Sequence, residues 1–283
     1  MTANSTPQWG NSYRLIASEK WKAKSAAMGR DVTEALVEYA QPRPGMKVLD
    51  LASGTGEPAI SLASRVRPAG HVTALDLSSE LLQIAAERAQ QRKLTNFSIQ
   101  QADAHELPFP YQAFDLVTSR FGVMFFQNTQ KALREIHRVL RPGARTCFLA
   151  WGPFEQPYWS STMGVVAKHV GGAVLVPGGA DPFKFGGPGT LSAELRKAGF
   201  ANVEEETKSL PWTWPGTAEE VWEQAQAVAT PFLPLLRRVP AEKRNEIDRD
   251  VLSAVQQYAD GDSIKFSAVV VLASGTKAKA NIN

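Results

Sequence analysis

The sequence predicts an α/β sandwich, a mostly parallel sheet covered by helices on both faces. Three observations carry that expectation. Between residues 46 and 151, apolar runs of strand length alternate with segments of helical periodicity, the rhythm that parallel strands and their crossovers require. Three successive runs close on a carboxylate: Lys47-Val-Leu-Asp50, His71-Val-Thr-Ala-Leu-Asp76 and Phe97-Ser-Ile-Gln-Gln-Ala-Asp103. The first of them opens directly onto the turn Ala52-Ser-Gly-Thr-Gly56, at the strand end where an open α/β sheet binds its ligand.

The elements follow in order. Residues 30–41 place Val32, Ala35, Leu36 and Tyr39 at helical spacing, and Pro42 and Pro44 end that helix. Strands are expected at 46–51, 71–76, 97–101, 113–119 and 145–151, with helices at 57–67, 79–92 and 128–140 between them. After Trp151 the rhythm breaks into about forty residues rich in Gly, Pro and aromatics, read as a long loop of the kind that is usually functional. It resumes with a helix at 190–198, ended by Gly199 as a carboxyl cap, and a strand at Asn202–Leu210. Residues 217–259 read as a helical insertion divided by Pro231, Pro234 and Pro240. Ile264–Leu272 is a seventh strand, and 276–283 a frayed polar tail.

Composition narrows the function classes. At 283 residues and 43% hydrophobic, the chain has ample material for a packed core, which excludes wholesale disorder. A formal charge of +3 without a Lys/Arg block does not point to nucleic acid or an anionic membrane, and a small neutral partner fits as well. Cys147 is the only cysteine, so an intrachain disulfide and a cysteine zinc site are excluded; it reads as a small buried apolar residue. The amino terminus lacks an apolar signal core and no apolar run reaches spanning length, so a cytoplasmic protein is expected.

The turn carries the chemistry. Gly54 and Gly56 let backbone approach a ligand without an intervening Cβ, and Pro58 suits the first turn of the following helix. Gly54-x-Gly56-x-x-Ala59 also matches the dinucleotide fingerprint, with Asp76 about where a ribose-binding acid would stand. Asp50 and Glu57 flanking the turn favour another guest. Carboxylates there disfavour a pyrophosphate but suit a cationic nucleoside such as S-adenosylmethionine. Asp50 can equally serve as a cap for local backbone NH groups.

At this point the chain resembles the class I S-adenosylmethionine-dependent methyltransferases, most closely the group of ubiquinone/menaquinone C-methyltransferases and related small-molecule enzymes. Beyond Asp50 to Gly56, the resemblance rests on Ala74-Leu-Asp-Leu-Ser78, Gln101-Ala-Asp-Ala-His-Glu-Leu-Pro-Phe109, Phe114-Asp-Leu-Val-Thr-Ser-Arg-Phe121 and Ala132-Leu-Arg-Glu-Ile-His-Arg-Val-Leu-Arg-Pro-Gly143, in that order. It covers residues 30–151 well and 190–210 moderately. It implies a Rossmann-like, seven-stranded sheet whose last strand is antiparallel, with a helical cap.

The resemblance also implies roles. Ala52, Ser53, Gly54 and Gly56 would contact the methionine part, and Asp76 would accept hydrogen bonds from both ribose hydroxyls, with Leu77 beside the adenine. Asp103 and Ala104 would face the adenine edge, and Arg120 would lie near the methionine part. Ser53 departs from the Gly or Cys usual at its position. The product would be S-adenosylhomocysteine, and no metal is expected. The implied division is a lid segment at 1–29, a cofactor-binding core at 30–151, a cap loop at 152–188, a core continuation at 189–215, a cap insertion at 216–262, a last core strand at 263–275 and the tail at 276–283.

Methyl transfer from a sulfonium needs no universal catalytic side chain, because the cofactor supplies the leaving group. Among the four histidines, His169 in the variable region is the base candidate, against the alternative of an ordinary surface residue. His137 reads as structural, and His71 and His105 as packing or solvent contacts. Aromatic residues cluster outside the core motifs: Trp9, Tyr13 and Trp21; Trp151, Phe154, Tyr158 and Trp159; and Trp212, Trp214 and Trp222, placed at the helical insertion. Trp21, Met28, Phe121 and Trp151 are candidates for the acceptor pocket, since such pockets are mostly apolar.

The expected reaction is in-line methylation of a small, partly aromatic or apolar acceptor at oxygen, carbon or nitrogen. The alternatives are a nicotinamide-dependent oxidoreductase, which lacks a Tyr-x-x-x-Lys dyad here, and a cofactor-binding protein without catalysis. An RNA methyltransferase would carry a base-handling motif where this chain reads Ser119-Arg-Phe-Gly122. The sequence leaves the oligomeric state open, with a homodimer among the assemblies it allows.

Overall fold

A computed structural model describes residues 19–227 and 230–279, with side chains from residue 23 onward. Trp9 and Tyr13 lie outside the described residues, as does the side chain of Trp21. The strands are β1 (Lys47–Leu51), β2 (His71–Asp76), β3 (Phe97–Gln101), β4 (Phe114–Arg120), β5 (Leu140–Trp151), β6 (Ala201–Trp214), β7 (Ala259–Asp260) and β8 (Ser263–Thr276). They lie in the order β3-β2-β1-β4-β5-β8-β6, with β7 pairing only with β8.

Two compact units make up the chain. One comprises Arg30–Gln156, Asp181–Trp212 and the described residues from Ser267 onward. In it β1 pairs parallel with β2 and β4, β2 with β3, and β4 with β5, while β8 runs antiparallel to β5 from Arg145↔Thr276 to Trp151↔Val270. The order reverses between β1 and β4, which opens a crevice at their carboxyl ends. Val48 to Leu51 and Leu116 to Ser119 are buried throughout, as central strands covered on both faces require.

Local chemistry sets the helix boundaries. The helix Arg30–Ala40 buries Val32, Thr33, Leu36, Val37 and Ala40 on one stripe. Ser78 caps Ser79–Gln91 by accepting from Leu81 N, and Asn128 caps Thr129–Val139 by accepting from Lys131 N at 2.9 Å. Thr190–Lys197 ends ahead of Gly199, whose φ of +89° suits glycine. The helix expected at 57–67 is only Ala59–Arg65, because Gly54 and Gly56 take φ of +52° and +109° and keep the preceding residues in the turn.

The second unit takes in the described residues up to Gly29, Pro157–Ala180 and Thr213–Phe266. It holds the helices Glu19–Met28, Pro157–Ser161, Met163–Val170, Ala218–Ala227, Leu233–Leu236 and Arg244–Gln256. Two interior polar pairs cross between its helices: Tyr158 Oη donates to Gln224 Oε1 at 2.7 Å, and Trp222 Nε1 to Asp248 Oδ1 at 2.8 Å. Lys24 Nζ meets Glu220 Oε2 at 2.5 Å, tying the helix Glu19–Met28 to Ala218–Ala227.

Three expectations are corrected. Residues 152–188 are not one long loop: Pro157 opens a helix, a second follows at Met163–Val170, and Gly171 with φ of +68° stops it. The end of the expected helical insertion instead forms a short eighth strand, β7: Gly261 with φ of +58° turns the chain back so that Asp260 pairs with Ser263. Trp212 and Trp214 belong to β6 rather than to the insertion. Cys147 is buried and its thiol is pushed up to about 12 by that burial, which makes it an inert core residue. Among the described residues no helix is long and apolar enough to cross a membrane.

Candidate functional site

The turn after β1 concentrates backbone conformations that ordinary residues avoid. Ala52 has φ of +53° beside the two left-handed glycines, and Gly54 N donates to Asp76 Oδ2 at 2.9 Å. Asp76 Oδ1 accepts from Ser78 N at 2.9 Å. Each oxygen therefore holds one backbone amide and keeps a further acceptor position, the arrangement needed to receive a pair of vicinal hydroxyls. Burial raises the Asp76 carboxyl above its ordinary range, with the amides of Ser78, Gly54 and Leu77 acting against it. A Cβ on Gly54 would meet nothing within 4 Å, so the turn borders open space. Leu77 follows as a half-exposed apolar side chain at 50% exposure.

Asp50 is fully buried. Thr118 Oγ1 donates to its Oδ1 at 2.6 Å, while Oδ2 has no hydrogen-bond partner. Burial pushes its carboxyl up to about 7; the bond from Thr118 and the charge of Arg120 pull the other way. An unpartnered buried oxygen beside a glycine turn suits a cationic guest, which would favour the ionised form. Glu57 does not supply a second free anion: it accepts from Ser61 Oγ at 2.6 Å and pairs with Arg92 at 3.1 Å.

Ser53 is buried, and its hydroxyl ties β1 to β2, donating to Asp50 O at 2.8 Å and accepting from Leu75 N at 3.2 Å. Its backbone N–H donates to Leu75 O at 3.0 Å and its carbonyl accepts from Gly56 N at 2.8 Å, so Ser53 holds the turn in shape. Arg120 Nη1 donates to Thr33 Oγ1 on the helix Arg30–Ala40. Beyond β3, Asp103 is exposed and Ala104 buried. Burial acts to raise the Asp103 carboxyl, but hydrogen bonds from the His105 amide and ring hold it below the usual range.

Phe121, at the end of β4, has φ of +58°, a rare backbone state for a bulky side chain and one that recurs at functional sites. Its ring stacks on Trp151 at 4.3 Å and 18°, and Trp212 stands edge-on to both, at 6.2 Å and 5.1 Å. The next residue has no room for a side chain: a Cβ on Gly122 would lie 2.5 Å from Ser119 Oγ and 2.6 Å from Ala52 Cβ. The backbone that follows Phe121 thus abuts the turn at Ala52.

Met28 and His169 belong to the helical unit. Met28 is 1% exposed. His169 Nε2 lies 2.8 Å from Asp250 Oδ2, and with Glu246 these donor atoms fall within 4.8 Å of one another, although no metal was expected. Both acids are exposed, and the hydrogen bond between His169 and Asp250 brings two of the three groups together. His137 packs edge-on to Phe200 at 5.1 Å in the sheet-bearing unit. Sequence reasoning missed Thr118, His105 and Trp212 as site residues. Strand adjacency would have found the first, since Thr118 faces Asp50 in register once β4 is set beside β1.

Comparison with known proteins agrees with this geometry. Residues 42–152 match the family described as "Methyltransferase domain". A ubiquinone/menaquinone biosynthesis C-methyltransferase UbiE from Rhizobium etli is 34% identical over 197 residues, covering 63% of this chain and 74% of that protein. Haemonchus contortus phosphoethanolamine N-methyltransferase 2, solved with phosphomonomethylethanolamine and S-adenosylhomocysteine, aligns with a TM-score of 0.58 at 18% identity over 94% of this chain and 59% of that one. The [4+2]-cyclase SpnF aligns with a TM-score of 0.54 at 21% identity over 87% of this chain and 81% of that one. At such identities the structural likeness speaks to the fold alone.

Proposed function

Since the chain belongs to the class I S-adenosylmethionine-dependent methyltransferases, we propose that its β1–β4 crevice binds S-adenosylmethionine through Asp76, Asp103 and the Ala52–Gly56 turn, and presents a ring-bearing acceptor along Phe121 and Trp151. The observation that carries the binding assignment is Asp76. Backbone amides of Gly54 and Ser78 orient both of its oxygens and leave each an acceptor position for a ribose hydroxyl.

The cofactor supplies an activated methyl group and its own leaving group. The protein's task is then to bind, align and dry the site. Asp50 is the acid that a bound cation would hold ionised, and Thr118 fixes one of its oxygens. Leu77 offers an apolar wall for the adenine, and Gly54 leaves backbone open toward the methionine part. Phe121 and Trp151 exclude water from one side of the acceptor space.

The acceptor is a small, partly aromatic or apolar molecule. The name of the Rhizobium relative points to quinone biosynthesis, and a quinol-like ring suits the Phe121–Trp151 stack. For nucleic acid, Ser119-Arg-Phe-Gly122 lacks the base-handling motif of amine-directed enzymes. Buried Cys147 fits a cytoplasmic setting. Isothermal titration with S-adenosylhomocysteine and with NADH tests the cofactor assignment. Micromolar binding of the first alone is expected; binding of NADH alone overturns it.

A further inference from the structure

His105 follows Asp103 by two residues in the loop after β3, with its side chain 17% exposed. Its backbone N donates to Asp103 Oδ1 at 2.9 Å, and its Nδ1 lies 2.5 Å from the same oxygen. On the other side of the ring, Nε2 accepts from the backbone N–H of Asn128 at 3.1 Å. A nitrogen that accepts cannot carry a hydrogen, so this network assigns the proton to Nδ1, which donates it to Asp103. Asn128 is itself the amino-terminal cap of the helix Thr129–Val139, and Phe126 meets the imidazole edge-on at 6.0 Å. The ring is therefore fixed at both nitrogens and along one edge.

The consequence falls on Asp103. An exposed aspartate in a loop ordinarily turns among several rotamers. Here two donors from one residue hold Oδ1, and Oδ2 keeps its acceptor positions. We infer that His105 is the positioning residue for purine selection: by gripping Oδ1 it sets Oδ2 as a fixed acceptor for the exocyclic 6-amine of the cofactor's base. The inference rests on the cofactor assignment above. It adds that selectivity for adenine over a 6-oxo purine comes from a residue that need not touch the purine, because a rigid acceptor rejects a carbonyl that a mobile one would swing away from.

Isothermal titration of S-adenosylhomocysteine and S-inosylhomocysteine against wild type, His105→Ala and Asp103→Asn separates the outcomes. Wild type is expected to prefer the adenosyl ligand by at least about tenfold, the range of one hydrogen bond to a charged group. His105→Ala is expected to bring the two affinities within about threefold, mainly by relieving the rejection of the inosyl ligand. A purely structural histidine would weaken both ligands equally. An unchanged ratio in His105→Ala overturns the inference, and so does a wild type that does not discriminate. Wild type that binds neither ligand overturns the cofactor assignment instead. Should His105→Ala not fold, His105→Phe keeps the packing against Phe126, removes both nitrogens, and is expected to collapse the ratio in the same way.

Discussion

Thr118 on β4 donates its hydroxyl to Asp50 Oδ1 on β1 at 2.6 Å, and the two residues are partners in the parallel register. One oxygen of a fully buried carboxylate is thereby satisfied and the other left without a partner. A neighbouring strand thus holds the acid in place without neutralising it.

That arrangement predicts a pH signature. Burial sets the folded-state pKa of Asp50 at about 7, above its ordinary 3.8, so the folded state binds the proton more tightly than the unfolded chain. Well below pH 3.8 the group is protonated in both states and contributes little slope. As pH rises toward 7 it destabilises the fold increasingly, and the effect is complete above about 7. Asp50→Asn keeps an acceptor for Thr118 and carries no charge. It should gain stability over wild type between pH 5 and pH 8, at up to about 1.4 kcal/mol per pH unit. Urea melts at the two pH values measure this; an equal difference at both would contradict it.

Asp76→Asn should fail differently. An asparagine offers one acceptor and one donor to two backbone N–H groups, Gly54 and Ser78. One of those amides then faces an NH₂ group. A stability loss of about 1–3 kcal/mol is expected, with affinity for S-adenosylhomocysteine falling by about tenfold or more. Thermal melts and calorimetry on the same sample distinguish the two effects.

The two glycines of the turn should separate stability from binding. A Cβ on Gly56 would sit 2.6 Å from Ile60 Cδ1 and 3.1 Å from Ala85 Cβ, at a φ of +109°. Gly56→Ala should cost about 1–3 kcal/mol. Gly54→Ala meets nothing within 4 Å, so its cost is the left-handed backbone alone, about 1–2 kcal/mol, while its methyl group enters the space assigned to the cofactor. Comparable losses of cofactor affinity normalised to stability would argue against that assignment.

Trp212 stands edge-on to the Phe121–Trp151 stack. Removing it takes away one wall of the aromatic corner but nothing from the glycine turn. Trp212→Ala should weaken binding of 1,4-naphthoquinone, read by quenching of tryptophan fluorescence, by about tenfold. Affinity for S-adenosylhomocysteine should stay within about twofold. Equal weakening of both ligands would assign Trp212 to general packing.

Much of the crevice was legible in the chain because its signals are local. The runs ending at Asp50, Asp76 and Asp103, and the glycines at 54 and 56, lie within a few residues of the geometry they determine. The pairing of Glu57 is hidden for the opposite reason. Its partner Arg92 is 35 positions away, and nothing in the turn's own sequence announces that pairing. The helices at Pro157–Ser161 and Met163–Val170 were hidden by a glycine- and proline-rich background that reads as loop.

The sequence by itself determined the α/β class, the succession of the parallel strands and the glycine turn after the first of them, because strand and helix periodicity and the left-handed preference of glycine are properties of neighbouring residues. Only the tertiary structure decided that Thr118 faces Asp50, that burial lifts that acid toward neutrality, that Asn128 fixes the far side of the His105 ring, and that Trp212 joins Phe121 and Trp151. Each of these depends on which strands and loops become neighbours and in what register, and strand order is set by packing of the whole sheet rather than by any segment of the chain.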